Sequence, residues 1–292
     1  MFLHTQQTAM IVTRFAPSPT GYLHLGHAFS AVTAFKAAAG GRFLLRIEDL
    51  DTGRSREEFV GAIFDDLRWL GLRWEEPVMR QSARFPAYRA ALERIEMHGL
   101  LYPCFCTRAE IAAEIARATE APHGPDGALY PGTCRELDQS RRQTLLDSGA
   151  PYALRLDAHR AAMQIPKLRF AELGVETNSK HRDIEVDPLL FGDVVLARKD
   201  VPASYHLAVV VDDSEQGVTL VTRGRDLFPA THIQRVLQQL LGLPVPLYSH
   251  HRLVTDEAGR KLSKRDGATS LRALRANGVA PEYLHAEHFQ AH

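Results

Sequence analysis

Residues 11–15 form a short apolar run, the pattern of a buried strand. A loop set by two prolines and a glycine follows over 16–21. The alanine-rich stretch 28–39 predicts a helix, stopped by Gly40 and Gly41. Residues 42–47 are apolar at their centre and predict a second buried strand, ending at Glu48 and Asp49. Over 56–70, Phe59, Ile63, Phe64 and Leu67 recur on one stripe, the period of an amphipathic helix. Strand, helix, strand, helix at this spacing predicts an α/β fold built on an open parallel sheet. Such sheets bind ligands at the carboxyl ends of their strands, where the polar residues of this stretch fall.

From about residue 100 the texture changes. Three cysteines are followed by Pro122, Gly124, Pro125, Gly127, Pro131 and Gly132. Composition predicts disorder near 111–128 and 174–183, a helix over 139–148, and strands over 152–156 and 193–197. The chain therefore divides into a first half of the sheet domain (1–99), an insertion (100–194), and a second half (195–245). Strands are predicted there at 205–211 and 218–222, with an apolar-faced helix at 229–241 stopped by Gly242. Residues 246–292 read as a short tail with a basic loop and one or two short helices.

Composition narrows the class. The 292 residues are 45% hydrophobic and 24% charged, enough for a sizeable core and too apolar for a disordered chain. Lys plus Arg balance Asp plus Glu at 35 each, which argues against a strongly basic nucleic-acid coat but not against a basic stripe. No run of 18 apolar residues and no signal-peptide pattern is found, so the expected location is the cytoplasm. Three clustered cysteines do not make a disulfide framework.

Two stretches carry phosphate chemistry. In His24-Leu-Gly-His27, two imidazoles sit at the start of a predicted helix, whose N–H groups and dipole suit phosphate. Gly26 allows a close approach to the backbone, and helix capping is the alternative role for the histidines. In Lys261-Leu-Ser-Lys-Arg265, three cations in a glycine-flanked turn suit a polyphosphate clamp or a solvated loop.

With the run RFAPSPTG from Arg14 to Gly21 and GRFLLRIED from Gly41 to Asp49, these stretches make four ordered motifs. Over about residues 10–270 the chain resembles the catalytic core of class I glutamyl-tRNA synthetases. The resemblance implies a Rossmann-type core, ATP with Mg²⁺, and a glutamyl-adenylate formed when the carboxylate of L-glutamate attacks the α-phosphorus. Its catalytic groups would be His24, His27, Lys261 and Lys264, with Thr20, Gly26, Arg225, Asp226 and Leu262 also at the nucleotide. For the amino acid it implies Arg14, Arg223 and Tyr205 at the side-chain carboxylate, Glu48 and Ser18 near the amine, and Ala16 in the same pocket. The chain departs from the family at Val209, where asparagine is common; valine donates no hydrogen bond, so an altered pocket and weaker glutamate binding are expected.

Cys104, Cys106 and Cys134 are soft ligands that suit zinc. His123 is a chemically ordinary fourth ligand, whereas the resemblance implies Tyr130. Only 27 residues follow Arg265, too few for the helical anticodon-binding domain of bacterial glutamyl-tRNA synthetases. This architecture resembles the glutamyl-queuosine tRNA(Asp) synthetase branch. That branch implies transfer of glutamate to the queuosine base in the tRNA(Asp) anticodon loop; the expected state of the chain is a monomer. Asp49, Arg54, Arg142, Arg169, Lys180 and Arg182 are candidate RNA contacts. The alternatives are a minimal synthetase charging the 3′ end of tRNA(Glu), a non-catalytic tRNA-binding paralogue, and the catalytic part of a longer protein.

Overall fold

The structure is a computed structural model that describes residues 10–117, 123–174, 181–198, 201–254 and 269–284. Strand β1 (Val12–Phe15) leads through helix α1 (Leu25–Ala37) to β2 (Arg42–Ile47), and α2 (Glu57–Trp69) leads to β3 (Glu75–Arg80). The three strands pair in parallel, in the order β1-β2-β3. Gly41 is required where α1 turns into β2, because a Cβ there would lie 2.1 Å from the Ile11 carbonyl oxygen. Residues of β2 alternate between two cores. Phe43, Leu45 and Ile47 pack with α1 and α2, while Leu44 faces the larger core on the other side. A sheet buried on both faces explains why the run looks continuous in the sequence.

Next come α3 (Phe85–Met97), β4 (Leu101–Cys104), α4 (Arg108–Arg117), β5 (His123–Gly124), β6 (Gly127–Ala128), α5 (Gln139–Asp147), β7 (Ala153–Leu156) and α6 (Ala158–Gln164). They are followed by β8 (Arg169–Glu172), β9 (Arg182–Glu185) and β10 (Val195–Arg198). The disorder expected of 111–128 and 174–183 is corrected where residues are described: 111–117 lie in α4, 123–128 make the β5–β6 hairpin, and 182–183 lie in β9. Residues 118–122 and 175–180 of those two stretches lie outside the described residues. Strand β7 is central to an antiparallel sheet, order β10-β7-β4. Asp193 ties this sheet together, accepting from Tyr102 Oη (2.5 Å), Arg135 Nη1 (2.9 Å) and the Ala158 amide (2.9 Å).

The chain then forms α7 (Tyr205–Glu215), β11 (Leu220–Gly224), α8 (Ala230–Leu240), β12 (Leu247–His251) and α9 (Leu271–Ala276). Residues 205–211 are helical, not the strand expected from their β-branched run. The Ser204 hydroxyl caps the helix by accepting from the Leu207 amide (3.4 Å), and α7 is buried on several sides, which hides its period. Strands β11, β12 and β8 pair in parallel, with β9 antiparallel at the edge. The start of this sheet abuts β1: the Thr219 amide donates to the Val12 carbonyl (3.0 Å), and the Val12 amide to Thr219 Oγ1 (2.9 Å). The chain steps outward from β1 to β2 and β3 on one side and from β11 to β12 on the other, and that reversal is where an open sheet leaves a crevice.

Candidate active site

The crevice at the carboxyl ends of β1 and β11 is a cleft of about 680 Å³. Of the residues expected at the site, Arg14, Ala16, Ser18, Thr20, His24, Gly26, His27, Glu48, Tyr205, Arg223 and Asp226 line it. Arg225 begins a 3-10 turn (Arg225–Leu227) and is not among the lining residues. Lys261, Leu262 and Lys264 lie outside the described residues. Residues at the two ends of their segment are described: Val254 lines the cleft, and Ser270 bridges to His24. Val209 is 2% exposed within the larger core, behind the cleft wall rather than in it.

The two histidines do cap α1. His24 Nδ1 accepts from the Gly26 amide (3.1 Å), and His27 Nδ1 accepts from the His24 amide (3.2 Å). The rings lie 3.9 Å apart. Capping and phosphate binding are compatible, because an imidazole that accepts at Nδ1 carries its proton on Nε2, as a donor. Gly26 fits this bend: a Cβ there would sit 3.0 Å from His24 Cε1.

Arg14 points from β1 onto α7, its Nε donating to Asp213 Oδ1 (3.0 Å) and its Nη1 to the Thr222 carbonyl (3.3 Å). Asp213 also accepts from Arg46 Nη1 (2.7 Å). Burial works against the Asp213 carboxylate, but the two guanidiniums hold it below the usual carboxylate range. Arg46 is fully buried and reaches Glu48 (3.2 Å) and Gln216 Oε1 (2.9 Å). Burial pushes the Glu48 carboxyl up, against the opposing pull of Arg46 and Arg14. Asp213 and Arg46 are site residues that sequence reasoning missed. Their signal was an acidic pair, Asp212 and Asp213, in an apolar run, and an arginine inside an apolar strand.

Arg223 is anchored differently. Its Nε donates to His250 Nε2 (3.0 Å), its Nη1 to Gln234 Oε1 (2.8 Å) and its Nη2 to Thr231 Oγ1 (2.7 Å). His250 and Glu172 were also missed, since they lie on β12 and β8, strands without a sequence signature.

A second cavity of about 560 Å³ shares Ser18, Thr20, Glu48 and Tyr205 with the first and runs to Cys106 and Arg155. Of the candidate RNA contacts, Arg54 lines it. Asp49 is buried and spent on the Ser82 amide (2.8 Å) and Arg80 Nε (3.2 Å). Arg142 donates to the carbonyls of Arg135 and Leu137, Arg169 pairs with Asp183, Arg182 is exposed, and Lys180 lies outside the described residues.

Beyond it, the sulfurs of Cys104, Cys106 and Cys134 lie within 4.8 Å of one another. Cys106 Sγ is 3.4 Å from Cys134 Sγ and 3.6 Å from Tyr130 Oη. Tetrahedral zinc at about 2.3 Å from each thiolate needs sulfurs about 3.8 Å apart, so this donor set fits the metal. Tyr130 Oη accepts from the Cys134 amide (2.8 Å), and Arg155 covers its ring at 3.8 Å.

The family model for the catalytic domain of class I tRNA synthetases (E and Q) matches residues 10–287. The chain belongs to that family. It is an ATP-dependent ligase of the aminoacyl-tRNA synthetase type. It is 51% identical, over 93% of its length and 97% of the relative's, to a Glutamyl-Q tRNA(Asp) synthetase of Rhodobacter capsulatus. It is 40% identical to a Glutamate--tRNA ligase of Aquifex aeolicus, matching 94% of this chain but 55% of that one. The crystal structure of the glutamate-tRNA synthetase from Elizabethkingia anophelis superposes with a TM-score of 0.72 at 29% identity, covering 88% of this chain and 53% of that one. The chain thus spans about half the length of the glutamate ligases it matches. Among the described residues no helix is long and apolar enough to cross a membrane.

Proposed function

We propose that this synthetase uses ATP and Mg²⁺ to activate L-glutamate as glutamyl-adenylate and then transfers glutamate to the queuosine base at the wobble position of tRNA(Asp). The observation that carries the activation step is the cleft itself. It puts two buried guanidiniums, Arg14 and Arg223, a Tyr205 hydroxyl and the Glu48 carboxyl beside the paired imidazoles of His24 and His27. Glutamate brings two carboxylates and one ammonium, which such a set complements. Phosphoryl transfer needs positioning and charge stabilisation more than covalent help. His24 and His27 donate to phosphate oxygens. Thr20, Gly26, Asp226, Arg225 and Leu262 hold the nucleotide. Lys261 and Lys264 neutralise the leaving pyrophosphate. Ser18 and Ala16 complete the amino-acid pocket. Mg²⁺ supplies charge neutralisation at the phosphates when bound.

The queuosine acceptor is supported by the similarity to the Rhodobacter capsulatus protein over nearly the whole of both chains. The second cavity leads away from the activation site and offers Arg54, Arg108, Arg155 and Arg198 to RNA. Cys104, Cys106, Cys134 and Tyr130 would hold zinc, which would keep the 100–194 insertion in shape. The division 1–99, 100–194, 195–245 and 246–292 organises this reading, with β8 reaching back into the parallel sheet and β10 completing the insertion's sheet. A cytoplasmic monomer fits the reaction.

The test is transfer of labelled glutamate to queuosine-containing tRNA(Asp) and to tRNA(Glu), each with free and blocked 3′ ends. Labelling of tRNA(Asp) that survives a blocked 3′ end is expected. Labelling of tRNA(Glu) alone, lost on blocking, refutes it in favour of a minimal charging enzyme.

A further inference from the structure

All three anchors on Arg223 are neutral acceptors: a histidine nitrogen, an amide oxygen and a hydroxyl. Among the described residues no carboxylate is within ion-pair distance of this buried guanidinium. Arg14 and Arg46 share Asp213 directly, and Arg46 also reaches Glu48 (3.2 Å) and Asp212 (3.9 Å), so both guanidiniums have carboxylates within ion-pair distance. Arg223 is linked to a carboxylate through one ring. His250 Nδ1 lies 2.8 Å from Glu172 Oε2, and Glu172 Oε1 accepts from the His250 amide (2.8 Å).

The proton positions follow from the donors. A guanidinium only donates, so His250 Nε2 must accept, and the imidazole is neutral with its proton on Nδ1, directed at Glu172. Burial favours the same neutral form. Sheet register fixes the arrangement. Arg223 of β11 lies opposite His250 of β12, and Tyr248 of β12 lies opposite Glu172 of β8. The His250 ring is further held between Tyr248, stacked at 6.2 Å, and Phe228, edge-on at 5.1 Å.

Of five guanidinium N–H groups, three are spent on anchors and two, one on each terminal nitrogen, remain for the cleft that Arg223 lines. We propose that Glu172 and His250 act as a positioning pair that aims Arg223 and keeps its charge without a carboxylate of its own, so that the pocket selects glutamate over glutamine. This rests on the proposed activation of glutamate. A buried cation balanced only at second hand favours a carboxylate ligand over a neutral amide. A direct internal carboxylate on Arg223 would weaken that preference. Glu172→Gln disrupts the pair because one amide cannot accept from both the His250 amide and Nδ1–H through two oxygens.

Glutamate-dependent ATP–pyrophosphate exchange tests this with Glu172→Gln, His250→Leu and His250→Gln. For Glu172→Gln and His250→Leu, KM for glutamate is expected to rise about tenfold to a hundredfold. The glutamine-to-glutamate ratio of kcat/KM should rise with it. KM for ATP should stay put and kcat should hold within about threefold. His250→Gln keeps a neutral acceptor for Arg223 and should recover part of the loss. A glutamate KM and a glutamine ratio within about twofold of the unaltered chain in both disrupting variants overturns the proposal. So does a rise in the ATP KM equal to that for glutamate, the mark of general distortion. If His250→Leu does not fold, Glu172→Gln decides alone. No glutamate-dependent exchange by the unaltered chain overturns the functional reading and this proposal together; intact exchange with an unmoved KM overturns this proposal only.

Discussion

Replacing Asp213 by alanine removes the one carboxylate that Arg14 and Arg46 share. Asp213 Oδ1 takes Arg14 Nε at 3.0 Å and Arg46 Nη1 at 2.7 Å, and the side chain is 9% exposed. Without it, Arg46 keeps Glu48, Gln216 and the 3.9 Å pair with Asp212, but among the described residues Arg14 keeps only the 3.3 Å bond to the Thr222 carbonyl. Removing one partner of a buried ion pair costs about 3–5 kcal/mol, because a charge is left buried and unbalanced. Asp213→Asn retains an acceptor but not the charge, so about 1–3 kcal/mol is expected. Denaturant midpoints near neutral pH, multiplied by the m-value, give both numbers. Because the folded carboxyl is held below its ordinary value of 3.8, its contribution is complete above that pH. It is lost as pH falls through the lower folded value, so the gap between the unaltered chain and Asp213→Ala should close on acidification below it. Arg14 lines the cleft, so KM for glutamate should rise as well. A loss from Asp213→Ala below about 1 kcal/mol, the worth of a surface ion pair, would refute the reasoning.

Asp66 gives the opposite sign: both oxygens are buried without a hydrogen bond, Arg275 Nη1 stands off at 3.9 Å, and burial pushes the carboxyl up to about 6. A raised carboxyl costs stability as pH climbs from its unfolded value through about 6, so Asp66→Asn should add about 1–3 kcal/mol at neutral pH and little near its unfolded value; a gain that does not vary with pH sinks the argument. His24→Ala should lose a phosphate donor worth about 2.7–4 kcal/mol of barrier, read as a fall in the exchange kcat of about two to three orders of magnitude; a change confined to thermal stability would make the ring a cap alone. Metal analysis of the purified chain should find one zinc, lost in Cys134→Ser and held less tightly against a chelator in Tyr130→Phe; full zinc retention by Cys134→Ser would remove that cysteine from the ligand set.

Much of the site was legible because its chemistry is local. Arg14 to Thr20 and His24 to His27 fall in one strand-loop-helix step, and turn residues and helix ends are written in neighbouring side chains. Residues 205–211 were misread as a strand because burial on several sides erases the period that separates helix from strand. The Glu172–His250 pair carried no pattern, since its partners meet from strands 78 positions apart.

The sequence alone determined the strand-helix alternation of residues 11–70, the helix start at His24, the three thiols and the positions of the two cleft arginines. Each depends on hydrogen-bonding type and spacing within a few residues. Tertiary structure decided which charge balances which. Arg14 and Arg46 meet Asp213 across 199 and 167 positions, while among the described residues Arg223 meets only neutral acceptors. The physical reason is that burial multiplies the energy of a charge by whatever stands beside it, and neighbours across a sheet are set by strand order, which no local spacing encodes.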